Sequence, residues 1–397
     1  MLTRRPWLTA VAVWAAWATA VVALVVIASH ANAWDNTQGW AHHGGSLWPL
    51  FTWDYGWYEL IAKLGYPPHQ LTPVYAFFPL WPWLLRASGG IADWAWAFAA
   101  VLASTCLAFV GVALASPSRP SWRSAVVLAC WPGSFLLLLA YPDALALAAA
   151  AWAAALALRG RPWLAGIVAA VAAGARPNGV LIAIPLALAT RSGLPGRVFA
   201  AAAPVAAAGA AELFFWRRSG DPRVFFHAQS LPIWGRNGPS RLTKWPGHLA
   251  HAFQTHTGLI VVGTILAVIV IAVLVRFVGW VYALGAAYVF LVLGLLLGAQ
   301  SPVTRIESAL TAVAFGALVL LWARGRAYLP WALFATAVLG ISFVSGSVVS
   351  FGREALFAFP LFWTVADGPR LLRHPLVAVA AIAANVAYAL TLTKYAP

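Results

Sequence analysis

Asp54 opens the densest run of aromatic and ionisable residues in the chain, Trp53 to Tyr66, which reads WDYGWYELIAKLGY. A carboxylate just ahead of a short helix has two uses. It can accept an N–H of its own helix as an N-cap, or it can take a proton from a hydroxyl as a general base. Tyr58, Ile61 and Ala62 share one helical face, and Gly65 stands where a C′ glycine ends a helix. The spacing therefore predicts a short amphipathic helix lying at a membrane surface, with tryptophans suited to the interface. On spacing alone, both uses of Asp54 stay open.

Further ionisable groups fall at breaks between apolar runs. Trp131 to Leu147 reads WPGSFLLLLAYPDALAL and puts Asp143 at the outer turn of a helical hairpin. Gly174 to Gly179 reads GARPNG and carries Arg176 and Asn178, while Arg305 with Glu307 and Arg353 with Glu354 mark two later breaks. Ionisable residues at the edge of membrane helices are functional candidates by default, although each Arg–Glu pair could serve only to neutralise itself. Arg176 has no acid beside it in sequence, and its guanidinium suits an anionic group such as a lipid phosphate.

Other chemistries lack their residues. His42 and His43 are adjacent rather than one helical turn apart, and no His, Cys and acid cluster has zinc-ligand spacing, so no metal is expected. No Walker loop, Asp-x-Asp or GxGxxG occurs, so neither a nucleotide cofactor nor a nucleotide-sugar donor has an evident site. A donor carried on a lipid could enter sideways from the bilayer.

The elements that must position these groups follow from composition. Of 397 residues, 62% are hydrophobic and 9% charged, against about 25% charged in soluble domains. That balance excludes soluble enzymes, disordered tails and disulfide scaffolds, and it predicts an all-α polytopic membrane protein. The 25 Lys and Arg against 10 Asp and Glu are scattered singly and in pairs between apolar runs. Such scatter suits topology signals and contacts with membrane lipids, and it offers no nucleic-acid module. Cys106 and Cys130 lie in apolar runs without a metal or disulfide pattern.

After Arg4 and Arg5, the uncharged run Trp7 to Ser29 is too long for a cleavable signal, whose apolar region spans about 7–15 residues. It is expected to be an uncleaved first helix with a cytoplasmic N-terminus. Alternation from there puts Arg119, Arg123, Arg159, Arg161, Arg191, Arg197, Arg276, Arg324, Arg326, Arg370 and Arg373 on the cytoplasmic side, with Asp367 as the sole acid. Asp35, Asp54, Glu59, Asp93, Asp143, Glu212, Asp221, Glu307 and Glu354 then fall outside or near the outer end of a helix. The expectation is one domain over 1–397 with about 11–13 transmembrane helices.

Two long outer segments are expected, 30–90 with short interfacial helices and 217–257 with Asp221, Arg236, Arg241, Lys244 and four histidines. Within the first, Val74 to Leu85 is broken by Pro79 and Pro82 and reads as re-entrant or interfacial. Trp163 to Ala175 and Gly179 to Ala189, which flank Arg176, are short for full crossings. Either the helix count is off by a hairpin, or Arg176 sits well below the outer surface.

The ordered blocks WDYGWYELIAKLGY, AFFPLWP, WPGSFLLLLAYPDALAL, GARPNG and FPLFW after Arg353 resemble the PIG-V type of the GT-C glycosyltransferases. They spread from Trp53 to Trp363 and so cover most of the chain. Three positions differ from that family's pattern: Thr52 ahead of Trp53-Asp54, Tyr141-Pro142-Asp143 where a Glu is usual, and Glu354 after Arg353.

The resemblance implies a GT-C fold and an inverting, metal-independent mannosyltransferase without a cofactor. Its donor would be a polyprenyl-phosphate sugar and its acceptor a glycolipid or cell-envelope glycan, at the outer face of a bacterial cytoplasmic membrane. Asp54 would be the catalytic base, and Arg176 and Arg353 the phosphate contacts. Asp143 would position the acceptor or assist Asp54. Trp53, Tyr58, Asn178 and Arg305 are counted among the expected substrate contacts. One base is enough, because a lipid phosphate leaves without the acid help that glycosidases need. The rival expectation is a transporter or flippase for a lipid-linked glycan, although such proteins tend to carry midplane charges and internal repeats.

Overall fold

The computed structural model describes residues 5–30, 45–87, 94–234, 302–344, 351–368, 379, 381–386 and 389. Asp35, His42, His43, Asp93, Arg236, Arg241, Lys244, Arg276, Arg370 and Arg373 lie outside these described residues, as do the side chains of Arg305 and Glu307.

Among the described residues every regular element is helical. Three helices among the described residues are long and apolar enough to cross a membrane: α1 (Pro6–His30), α4 (Trp94–Leu114) and α9 (Leu194–Ser219). Between α1 and α4 stand a 3-10 turn at Gly45–Phe51, helix α2 (Tyr55–Leu64), a second 3-10 turn at Pro73–Ala76 and helix α3 (Leu80–Arg86). The run from Val74 to Leu85 is therefore two elements, parted because the prolines cannot donate into a continuous helical ladder.

Helices α5 (Trp122–Cys130), α6 (Asp143–Leu158), α7 (Pro162–Ala175) and α8 (Ala183–Ala189) lead into α9, followed by α10 (Val224–Gln229). Arg217 and Arg218 belong to the last turn of α9, which ends at Ser219, so the stretch counted from residue 217 begins inside the helix. Near the C-terminus come α11 (Pro302–Trp322), α12 (Leu329–Val344), α13 (Phe351–Ala355) and α14 (Pro360–Ala366).

Small residues bring the central helices close. Helix α6 buries Ala144, Ala146, Ala150, Ala153 and Ala154 between α4 and α7, and α7 packs in turn on α9. A stripe of alanine lets helix backbones approach where no larger side chain would fit. At Gly166 in α7 a Cβ would come within 2.8 Å of the Phe199 ring of α9. Large apolar side chains such as Ile27, Ile167, Leu194, Val198 and Ile341 remain exposed on the described surface, as a lipid-facing surface requires.

The charges separate to opposite ends of α6, about 24 Å apart at 1.5 Å per residue. Beyond its C-terminus Arg159 donates to the carbonyl of Leu114, and the Arg191 N–H bonds to the carbonyl of Ala157. Trp363 donates to the carbonyl of Val112 at the same end, beside Arg324, which pairs with Asp367 at 3.4 Å and donates to the carbonyl of Thr364. The one acid assigned to the arginine-rich side thus has an arginine partner. At the other end of α6 stands Asp143.

Candidate active site

Helix α2 begins at the expected place, with Asp54 in the N-cap position and Gly65 (φ 76°) closing it by an N–H bond to the carbonyl of Ile61. Tyr58, Ile61 and Ala62 are all buried. The Asp54 side chain, however, makes no capping bond. Its Oδ2 instead accepts from Arg353 Nη1 at 2.8 Å. Of the two uses open to this carboxylate, capping is the one it does not make.

Arg353 sits in the single turn α13 and faces two acids. Besides its bond to Asp54, its Nε lies 3.7 Å from Asp143 Oδ1, too long for a hydrogen bond, and is buried without a hydrogen-bond partner. Asp143 Oδ1 also accepts from Arg176 Nη1. Two carboxylates and two guanidinium groups from four separate chain segments thus form one formally neutral quartet. Arg353 makes no ion pair with its neighbour Glu354.

Each member is placed by local chemistry. Arg176 precedes Pro177, which disfavours a helical conformation before it, so α7 stops and Arg176 takes extended backbone (φ −145°, ψ 143°). The chain then doubles back as a 3-10 turn, Pro177–Ile182. A Cβ at Gly179 would overlap the carbonyl of Ala172, so only glycine permits the return. This short return explains the two short apolar flanks, and it leaves only 14% of the Arg176 side chain exposed.

Asp143 is the first residue of α6, 6% exposed, where the helix dipole favours a carboxylate. The loop leading to it is tied to the stretch between α1 and α4: Ala140 N–H bonds to the carbonyl of Leu50 at 2.9 Å, and Trp81 Nε1 to the carbonyl of Ala140 at 3.0 Å.

Exposure orders the quartet. Asp54 is 28% exposed and Arg353 18%, against the deeper Arg176 and Asp143.

Tyrosines line the inner wall. The Tyr58 ring lies 6.1 Å from that of Tyr141 and 4.9 Å from Phe77. Burial pushes the Tyr58 hydroxyl far above the ordinary phenol range; Asp54 and Asp143 add to the shift while Arg176 and Arg353 oppose it. Burial likewise pushes Tyr141 up, with Asp54 adding and Arg353 opposing. For Arg353, burial alone would lower the value, but Asp143 and Asp54 hold it well above the usual guanidinium range. Both phenols remain neutral and Arg353 remains a cation at any physiological pH.

The other expected contacts are distributed around this centre. Trp53 is half-buried beside Asp54 with a left-handed backbone (φ 53°). Asn178 lies two residues beyond Arg176, and its Oδ1 is buried without a hydrogen-bond partner. Arg305 falls in the first turns of α11. Tyr141, which sequence reasoning did not select, touches both Asp54 and Arg353: its hydroxyl accepts from the Asp54 N–H at 2.9 Å, and Arg353 Cζ lies 5.4 Å from its ring centroid. The available signal was its position two residues before an acid at a helix start.

The end of α9 and helix α10 are tied to the stretch that follows α2. Arg218 donates to the carbonyl of Tyr66, and Gln229 of α10 to the carbonyl of Ala76. Trp57, Phe77 and Trp234 pack together, with ring centroids 5.7–6.3 Å apart.

No protein-family model, no curated protein and no solved structure matches the chain. Among the described residues, no group of three His, Cys, Asp or Glu is placed to hold a metal ion.

Proposed function

We propose that this chain is a polytopic membrane glycosyltransferase of the GT-C type. It transfers a sugar from a polyprenyl-phosphate donor to a lipid-linked or envelope acceptor, with inversion at the sugar carbon. Mannose is the sugar that the resemblance to the PIG-V type implies. The observation that carries the proposal is the contact of Asp54 with Arg353, beside Asp143 and Arg176. It puts a partly exposed carboxylate against one cation, with a second reached through Asp143, at one end of an apolar helix bundle.

The chemistry follows from these groups. The acceptor hydroxyl oxygen attacks the sugar C1 from the side opposite the phosphate, and Asp54 takes the hydroxyl proton. The C1–O bond to phosphate breaks, and its electron pair leaves with the lipid phosphate. Arg353 and Arg176 meet the charge that develops on that oxygen. Arg353 keeps part of its side chain, 18%, exposed beside Asp54. Asp143 holds both guanidinium groups and keeps the pair from repelling each other apart. The buried Asn178 Oδ1 is an acceptor available to a sugar hydroxyl.

The charge distribution favours the outer face of the membrane for this site, since the opposite end of α6 gathers arginines as cytoplasmic ends do. The decisive experiment gives purified protein in liposomes polyprenyl-phosphate mannose and candidate acceptors, comparing wild type with Asp54→Asn. Transfer by wild type and its loss in the variant is the expected result. Near wild-type transfer by Asp54→Asn would remove Asp54 as the base. Scrambling of labelled lipid across the bilayer without any transfer would favour a flippase.

A further inference from the structure

Tyr141 is only 2% exposed, and both partners of its hydroxyl are main-chain groups. It accepts from the Asp54 N–H at 2.9 Å and donates to the carbonyl of Thr52 at 2.9 Å. Those two groups bracket Trp53, one of two non-glycine residues with positive φ among the described residues. A bulky side chain keeps such a conformation only where its surroundings over-determine it. The Tyr141 hydroxyl spans the turn and does so.

The consequence falls on Asp54. A capping aspartate normally has extended backbone, so that its carboxylate folds over the first turn of its helix. Asp54 has φ −60° and ψ −19° and caps nothing. Its carboxylate meets Arg353, whose guanidinium lies over the Tyr141 ring. One tyrosine touches both members of the pair.

We propose that Tyr141 is a positioning residue, whose hydroxyl locks the Thr52–Asp54 turn so that the Asp54 carboxylate points at Arg353 and the reacting centre rather than back onto α2. The tyrosine gives up no proton and touches no substrate. This role rests on Asp54 being the base. It extends to catalysis through geometry, because displacement of a reacting group by about 1 Å can cost on the order of a hundredfold in rate.

Tyr141→Phe keeps the ring and its contact with Arg353 and removes both hydrogen bonds. In liposomes with polyprenyl-phosphate mannose and octyl α-mannoside, kcat per folded molecule should fall by about 10–100-fold, with the donor KM within about twofold. An unchanged kcat, or a loss confined to KM, overturns the positioning role. A second measurement needs no transfer. In a chain carrying Cys106→Ser, Cys130→Ser and Asp54→Cys, a charged methanethiosulfonate reports how firmly the side chain at position 54 is held. Adding Tyr141→Phe should speed labelling severalfold, and an unchanged rate overturns the lock.

Wild type inactive towards every acceptor would sink the glycosyltransferase proposal and the base role with it. Labelling alone would then decide whether Tyr141 holds the turn. If Tyr141→Phe fails to fold, adding Trp53→Gly should restore folded protein, since glycine adopts positive φ unaided. No restoration would overturn the proposal.

Discussion

Arg353 and Asp54 stand 299 residues apart in sequence and meet at 2.8 Å. The contact joins the single turn α13 to the start of α2, and Asp143 at the start of α6 and Arg176 at the end of α7 complete the group. Removing one partner of such a buried network leaves the other charged and unpaired, which costs more than the pair contributes. Each member is therefore open to test both in chemistry and in stability.

Asp54→Asn keeps the shape of the side chain and removes its basicity. Transfer should fall by about 10²–10⁴-fold, the usual contribution of a general base. As the most exposed member, Asp54 should be the least needed for folding, so the melting temperature in detergent should change less than for Asp143→Asn. Initial rates and a melting curve on one preparation check both statements.

Asp143→Asn leaves Arg176 and Arg353 facing each other with only Asp54 to balance them. The expected loss of stability is about 3–5 kcal/mol. Adding Arg176→Gln removes the excess cation and should recover part of it, with a coupling of about 0.5–3 kcal/mol for residues in one network. Independent, additive losses in a double-mutant cycle would show that the Arg176–Asp143 pair contributes no mutual stabilisation.

Gly179→Ala tests the return of the chain behind Arg176. The added Cβ overlaps the Ala172 carbonyl, a main-chain group that cannot move aside without opening the end of α7. Overpacking of this kind costs about 1–3 kcal/mol or more. Transfer should fall along with the melting temperature, since Arg176 moves with the turn. A substitution without effect on either would remove the geometric reason for the second glycine of GARPNG.

Alkaline stability follows from the raised phenols. The Tyr58, Tyr66 and Tyr141 hydroxyls all titrate above the ordinary value near 10 because they are buried. Above about pH 10 the unfolded chain loses these protons while the folded one keeps them, so stability falls as pH rises. Below that pH they add no pH dependence. Melting temperatures should be flat with respect to these groups up to about pH 9.5 and then drop, and Tyr58→Phe should make the drop shallower.

Much of the architecture is legible in the chain because hydropathy and charge are additive along it. The helices α1 and α4 stand out as uninterrupted apolar runs, and Arg159, Arg191 and Arg324 gather at one end of the described bundle. Gly65 and Pro177 mark local stops, since a C′ glycine and a residue before proline act within a few bonds. The run from Val74 to Leu85 is broken at its prolines for the same reason.

What the sequence by itself determined is thus the class of solvent, the placement of the breaks and a short list of ionisable residues at them. It could not decide between a cap and a base for Asp54, because a carboxylate at an N-cap position looks the same in either use. Tertiary structure removed the cap, by bringing Arg353 across 299 positions to the carboxylate and Tyr141 to the turn beneath it. It also decided that Arg176 answers to Asp143 and that Arg353 ignores the adjacent Glu354. Ion pairing falls steeply with distance through space and takes no account of distance along the chain. In a protein with ten acids, the packing of the helices therefore chooses which of them meet a cation.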